Sequence, residues 1–280
     1  MKSYSIIINT CDKFEDCWDP FFQLWSTYWK DCQGKIYLNT EYKDYYYRGL
    51  DIVTTQVCKK NNVQHDKRAT WSQCLKWALE QIDTDIVLYL QEDYFLKDNV
   101  KNEIVEKYVQ LMTDNENIKC IHLTDQAVFA SGKSKFTHLS NVEYKQRYRV
   151  SCQAALWRKE ELLILIRESE DAWQFEEFGS MRSSIMKHDY YVVDSNYVKL
   201  NQFEIIPYVF TGIIQGRWYE ETIPLFEKHN ILIDFGIRGF VKDGVSKPLI
   251  KRIKYRFVKI KKIIINRFDL YKLKKQIKKK

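Results

Sequence analysis

Between Asp85 and Phe95 the chain runs Asp-Ile-Val-Leu-Tyr-Leu-Gln-Glu-Asp-Tyr-Phe, an unbroken apolar stretch from Ile86 to Leu90 that gives way to the adjacent carboxylates Glu92 and Asp93. A segment of that length with no polar position has no face to offer water, so it predicts a strand buried on both sides, entered through the turn Asp83-Thr84-Asp85. An ionised carboxylate does not stay in such an interior unpaired, which places Glu92 and Asp93 where the strand leaves its sheet. In open parallel α/β sheets that carboxyl edge is where ligands sit. Two acids there suit a hard divalent cation, Mg²⁺ or Mn²⁺, that shares phosphate oxygens with a nucleotide. A solvated turn or the cap of a following helix uses the same pair, so the context has to decide.

Around this strand the hydrophobic period alternates. Tyr4-Ser5-Ile6-Ile7-Ile8 predicts a first core strand over 3–9, closing in the polar loop Asn9-Thr10-Cys11-Asp12. Phe14, Trp18, Phe21 or Phe22, Trp25 and Tyr28 or Trp29 then recur at helical spacing, with Pro20 early as a first-turn residue. Short strands are expected at 35–39 and 50–57. Thr70 is placed to cap a helix from Trp71 through Ile82, with Leu75, Ala78, Leu79 and Ile82 on one face. A helix over 100–112 and a strand over 118–123 follow, the latter ending in Thr124-Asp125-Gln126. Residues 131–148 lack a period and read as a surface loop on the acceptor side, 150–157 as strand-like, and 160–166 as a helix. This alternation predicts an α/β domain over 1–241 with a mostly parallel central sheet flanked by helices, and three polar clusters on one sheet edge.

The remaining composition removes several classes. The seven cysteines are scattered, odd in number and never spaced Cys-x-x-Cys, which excludes a disulfide framework and a thiolate zinc motif and fits a reducing compartment. Neither Gly-x-Gly-x-x-Gly nor Gly-x-x-x-x-Gly-Lys occurs, so the common dinucleotide and triphosphate cradles are not used. Ile6-Ile7-Ile8 is too short for a leader, and no run reaches membrane-spanning length. The net charge of +8 hides a division: residues 242–280 hold 16 Lys or Arg against Asp243 and Asp269, a net of +14, while residues 1–241 hold 29 basic against 35 acidic, a net of −6. In the tail, Ser246 and Pro248 are helix start signals, and Ile250, Ile253, Phe257, Ile260, Ile264, Phe268, Tyr271 and Ile277 recur at mostly three- or four-residue steps among lysines and arginines. A basic amphipathic helix over 246–280 lies on an anionic membrane surface, or else docks on the body with its basic face in water. The first alternative places the protein in the cytoplasm, peripheral at the inner face of the cell membrane.

Asp171-Ala172-Trp173-Gln174-Phe175-Glu176-Glu177-Phe178-Gly179-Ser180 sets carboxylates among aromatic rings, surroundings that raise a carboxyl pKa and make a general base useful near neutrality. Helical solvation of the same acids is the alternative. Taken in order, Asn9-Thr10-Cys11-Asp12 with Trp18-Asp19-Pro20-Phe21-Phe22, Trp71-Ser72, Leu88 to Phe95, Gln153-Ala154-Ala155-Leu156-Trp157-Arg158, Trp173-Gln174-Phe175-Glu176 with Gly179-Ser180, and Gly216-Arg217-Trp218 resemble bacterial glycosyltransferases of the GT-A fold. These are the nucleotide-diphospho-sugar transferases of capsule, O-antigen and lipopolysaccharide synthesis.

The resemblance implies a GT-A-like domain, a nucleotide-sugar donor, a glycan or glycolipid hydroxyl as acceptor, and Mn²⁺ or Mg²⁺ as cofactor. In such enzymes a short acidic signature, generally Asp-x-Asp, holds the metal that bridges the donor phosphates. Asp93 takes its last, metal-contacting position and Glu92 its middle one; Gln91 stands where the first Asp is usual, and its neutral amide can instead bond the ribose. Thr10 and Asp12 match the first-strand loop that meets the nucleoside, with Trp71 and Ser72 near it. Glu176, with Glu177 as second candidate, is the implied base of an inverting transfer. Arg217 is the candidate for closing over the diphosphate, or packs on Trp218. A nucleotidyltransferase would share the sheet and acidic edge, but it usually carries a Gly-rich basic loop after the first strand, and residues 9–16 contain no glycine. A nucleic-acid binder would stack bases on Phe257, Phe268 and Tyr271; nucleic acid is not the expected partner.

Overall fold

The computed structural model describes residues 3–124, 128–198, 204–241 and 249–279, without the side chains of 198 and 249–259. Its strands are β1 (Ser5–Asn9), β2 (Lys35–Asn39), β3 (Ile52–Thr54), β4 (Ile86–Gln91), β5 (Ile118–His122), β6 (Ala130–Lys133), β7 (Leu139–Val142), β8 (Ala155–Arg158), β9 (Asp189–Val193), β10 (Ile213–Ile214) and β11 (Arg217–Trp218). The α-helices are α1 (Trp18–Tyr28), α2 (Val57–Lys60), α3 (Trp71–Glu80), α4 (Asn102–Asp114), α5 (Lys159–Leu165), α6 (Ala172–Met186), α7 (Ser195–Val198), α8 (Thr222–Lys228) and α9 (Leu249–Ile277). Nine strands form one sheet in the order β3-β2-β1-β4-β8-β5-β9-β7-β6.

β1 pairs in parallel with both β2 and β4, and β2 with β3. β8 lies antiparallel between β4 and β5, β9 returns parallel to β5, and β7 opposes β9 and β6. Only β7 and β8 therefore run against the common direction, which makes the sheet mixed and mostly parallel, flanked by helices. β4 sits at its middle with Ile86 to Leu90 buried, as an apolar run with no solvent face requires. α1 buries Trp18, Phe21, Phe22, Leu24 and Trp25 in the core. α3 starts where Thr70 accepts from the Gln73 amide at 3.1 Å while the Gln73 side chain accepts from the Thr70 amide at 2.9 Å, a complete capping box.

Three features differ from expectation. Residues 131–148 are not one loop: β6 and β7 add a hairpin to the sheet edge, and every residue of β6 is exposed, so it carries no apolar alternation to read. The helix expected from Phe14 opens instead as a 3-10 turn over Asp12–Cys17, with α-helix only from Trp18. α9 carries the tail, while the start signals Ser246 and Pro248 and the side chains of Ile250, Ile253 and Phe257 lie outside the described residues. No helix among the described residues is long and apolar enough to cross a membrane.

Candidate active site at the carboxyl edge of β4

Register brings the polar strand ends together. Asn9 is paired with Asn39 on one side and Gln91 on the other, so three polar side chains end three adjacent strands at one level. Asn39 donates to Asn9 Oδ1 at 2.7 Å, and Gln91 donates to the Tyr89 hydroxyl at 3.2 Å. Beyond them Asp93 is 6% exposed. Its Oδ2 accepts from the Thr211 hydroxyl at 2.7 Å and the Ile213 amide at 3.1 Å, and its carbonyl accepts from the Gly212 amide at 2.9 Å. Gly212 is needed for this approach, because a Cβ there would overlap the Phe95 ring and lie 3.0 Å from the Asp93 carbonyl.

Burial pushes the Asp93 carboxyl up, against the pull of the Thr211 hydroxyl and the backbone amides. Glu92, half-buried, is pushed well above the carboxylate range by desolvation first and the Asp93 charge second, with Arg238 acting the other way. Arg238 is already committed: its guanidinium binds the Asp16 carboxylate, donates to the Lys13 carbonyl at 2.7 Å and lies 4.5 Å from the Phe14 ring centroid. Lys13, Glu15, Asp16, Gln215, Arg217 and Arg238 line an open cleft of about 510 Å³, and the charges of Asp16 and Arg238 act on Glu92. The β10–β11 turn presents Arg217 there through Gln215 at φ 53° and Gly216 at φ +79°; Arg217 is exposed and donates to the Arg238 carbonyl at 3.4 Å.

The first-strand loop is tied inward. The Thr10 hydroxyl accepts from Trp18 Nε1 at 3.0 Å. Both Asp12 oxygens accept backbone amides, from Glu41 at 2.8 Å, Tyr42 at 2.9 Å and Lys43 at 3.1 Å, while the Asp12 amide donates to Glu41 Oε2 at 3.2 Å. Asp12 thus fastens the loop after β2 to the loop after β1. Among the described residues, the one group of three metal-ligating side chains whose ligand atoms all lie within 4.8 Å of one another is Glu41, Cys58 and Cys74, not the acids at β4.

Because β8 runs against β4, the residues leading into it return to the same edge. Tyr94 donates to the Cys152 carbonyl at 2.9 Å, Gln153 donates to the Tyr94 hydroxyl at 3.0 Å, and Tyr208 donates to Gln153 Oε1 at 2.9 Å, with the Tyr94 and Tyr208 rings stacked at 4.6 Å. Glu176, on the second turn of α6, accepts on Oε1 from the Cys152 amide at 2.8 Å and the Ser151 hydroxyl at 3.5 Å. Desolvation raises its pKa, and those two donors moderate the rise. Glu177 is half-buried beside it. Trp71 packs on Phe175 of α6 at 5.4 Å, and Ser72 is fully buried, its amide donating to the Glu170 carbonyl at 3.3 Å.

The fold therefore brings Gln91, Glu92, Asp93, Arg217 and the Ser151 to Gln153 segment that holds Glu176 to one edge. Thr10 and Asp12 spend their polar groups on internal bonds, whereas the Ser72 hydroxyl is buried without a hydrogen-bond partner among the described residues. Asp125 and Gln126 of the third expected cluster lie outside the described residues, and Thr124 is buried. Arg238, Asp16, Lys13 and Thr211 were missed; no motif marks them, Asp16 lies on the polar side of a periodic stretch, and only the return of the chain to β4 gives them meaning.

No protein-family model matches the chain, and no curated protein matches it. Among solved structures, S. aureus TarS 1–349 in complex with UDP is similar at 10% identity and a TM-score of 0.46, over 72% of this chain and 64% of that one. The glucosyl-3-phosphoglycerate synthase of Mycobacterium tuberculosis with Mn²⁺, UDP and glucosyl-3-phosphoglycerate matches at 10% identity and a TM-score of 0.46, over 88% and 83%. A CMP:2-keto-3-deoxy-manno-octonic acid synthetase with CTP matches at 12% identity and a TM-score of 0.40, over 69% and 89%. The chain spans 63% of the length of TarS 1–349 and 38% of a longer TarS chain.

Proposed function

We propose that this protein is a glycosyltransferase that moves a sugar from a nucleotide diphosphate to a hydroxyl of a glycan or glycolipid acceptor. One observation carries the reading: the half-buried Glu92 and the buried Asp93 end the central strand, and Arg238, whose charge acts on Glu92, lines a cleft with Lys13, Arg217, Glu15 and Asp16. Acids and cations arranged so cannot neutralise one another directly, because Arg238 is bound to Asp16 and Arg217 is exposed. A diphosphate with a divalent cation satisfies both sides.

The donor set fits Mn²⁺ or Mg²⁺: Glu92 and Asp93 are adjacent carboxylates held above their ordinary pKa by burial first and, for Glu92, by the Asp93 charge, and such ions complete their shell with water and phosphate oxygens rather than a full protein cage. Bound there, the ion would neutralise charge on the leaving diphosphate. Arg217 and Lys13 act on the same charge from the opposite wall. Glu176, anchored through Oε1, takes the proton of the acceptor hydroxyl as that oxygen bonds to the sugar carbon and the nucleoside diphosphate departs with the electrons of the broken C–O bond.

The test is a panel of nucleotide-sugars incubated with the purified full chain and Mn²⁺, scored for donor hydrolysis and thermal shift. At least one donor should stabilise the protein and be turned over, and Asp93→Asn should sharply reduce both. No response to any donor, or an unchanged response in Asp93→Asn, rejects the assignment.

A further inference from the structure

Where its side chains are described, α9 docks on α6 with Asn266 buried and Lys262, Ile263, Asp269, Leu270 and Leu273 half-buried. Asn266, 5% exposed, donates to Met181 Sδ at 3.3 Å. Asp269 Oδ2 accepts from Arg167 Nε at 3.0 Å and lies 3.8 Å from Arg182 Nη1, and Lys262 donates to the Ser169 carbonyl at 2.9 Å and to Gln174 Oε1 at 2.6 Å. Gln174 belongs to the capping box of α6, two residues before Glu176. Ile260, Ile264, Phe268 and Tyr271 remain 54%, 50%, 66% and 56% exposed. At 3.6 residues per turn these four share an arc of about 80°, roughly opposite Lys262, Asn266 and Asp269. A helix that docks on its own domain ordinarily buries its apolar stripe and wets the polar one. Here the docked side is mixed, with Ile263, Leu270 and Leu273 half-buried among the polar contacts, and a second apolar stripe is left outward, built for a second environment.

Charge identifies that environment. Between residues 260 and 279 stand Lys261, Lys262, Arg267, Lys272, Lys274, Lys275, Lys278 and Lys279 against Asp269, which is spent in the contact with Arg167. Lys275 lies 4.7 Å from the Tyr271 ring centroid, within the apolar arc itself. An apolar stripe with aromatic members and interleaved cations matches the headgroup boundary of an anionic bilayer, and no helix among the described residues is apolar enough to cross one. We infer that α9 lies in the plane of an anionic membrane surface on its Ile260–Ile264–Phe268–Tyr271 face, while Lys262, Asn266 and Asp269 on its opposite face latch it to the helix that carries Glu176. The latch fixes the orientation of the candidate site toward the bilayer, instead of leaving the domain on a loose tether. This inference stands apart from the transferase reading, because it needs no donor or acceptor.

Co-sedimentation of the full chain with phosphatidylglycerol-containing vesicles, with pure phosphatidylcholine vesicles and with RNA as competitor tests it. The protein should pellet with the anionic vesicles alone, and the binding should fall as salt rises. Ile264→Ser with Phe268→Ser should weaken vesicle binding about tenfold or more with the melting temperature unchanged, since both side chains face outward. Asp269→Asn should retain binding but lose the fixed orientation, read as increased anisotropy decay of a probe on the body of vesicle-bound protein. Equal binding to neutral vesicles, full binding by the double variant, release from vesicles by RNA, or a concentration-dependent dimer that the double variant abolishes would each overturn the inference.

Discussion

Two buried acidic sites in this molecule are answered in opposite ways. Glu170, buried where the chain enters α6, receives a bidentate guanidinium from Arg182, at 2.8 Å and 2.6 Å, from a side chain that is itself 1% exposed. Burial lifts the Glu170 carboxyl, and Arg182 is the largest force pulling it down. Glu92 and Asp93 are desolvated as thoroughly, yet Arg238, the cation that acts on Glu92, is paired with Asp16. A fold that supplies an arginine for one buried acid and not for an adjacent pair leaves the two sites unlike: the first is complete in itself, and under the proposed function the second is completed by a cation from outside.

Removing one partner from the complete site should have the largest effect. Arg182→Ala leaves Glu170 buried and unpaired and should cost about 3–5 kcal/mol, read by denaturant unfolding, with loosening of α9 detected by proteolysis. At the incomplete site Asp93→Asn keeps an oxygen for Thr211 and Ile213, so the fold should persist while donor turnover falls by roughly 100- to 1000-fold. Glu176→Gln should lower kcat on the order of 100-fold. In the parent kcat/KM should rise with pH through the raised Glu176 pKa, because the base must first lose its proton, and the Gln variant should lose that limb.

The smallest effect has the opposite sign. Glu92 binds its proton more tightly folded than unfolded, so its contribution is most favourable below the ordinary carboxylate range and is lost as pH rises toward the raised folded value. Glu92→Gln should then raise the melting temperature at neutral pH by a few degrees, for about 1 kcal/mol, while impairing turnover. A stabilised but inactive variant would sharpen the contrast with Arg182→Ala, and a destabilised one would break it.

What could be read without coordinates followed the strength of local signals. β1, β2, β4 and β5 announce themselves as apolar runs with polar stops, and Thr70 with Gln73 marks the start of α3 to the residue. The acid pair was legible because its burial follows from the run before it. β9, with Tyr190 to Val193 all buried, has a readable run, but it sits behind α6, whose even mix of polar and apolar residues hides its length. The loop tie at Asp12 and the Arg238–Asp16 pair were not legible at all, because a carboxylate in a polar loop looks the same whether it meets water, a ligand or three amides. The direction in which α9 faces is likewise a tertiary fact: periodicity defines two stripes but not which one meets the body.

The clasp formed by Thr211, Gly212 and Ile213 on Asp93 joins positions about 120 residues apart. During synthesis the acids of β4 leave the ribosome long before their lid, so a nascent chain of 200 residues has its sheet centre but no finished pocket. The strand end is closed over only by the hairpin carrying Arg217 and the segment carrying Arg238, which are the later parts of the chain.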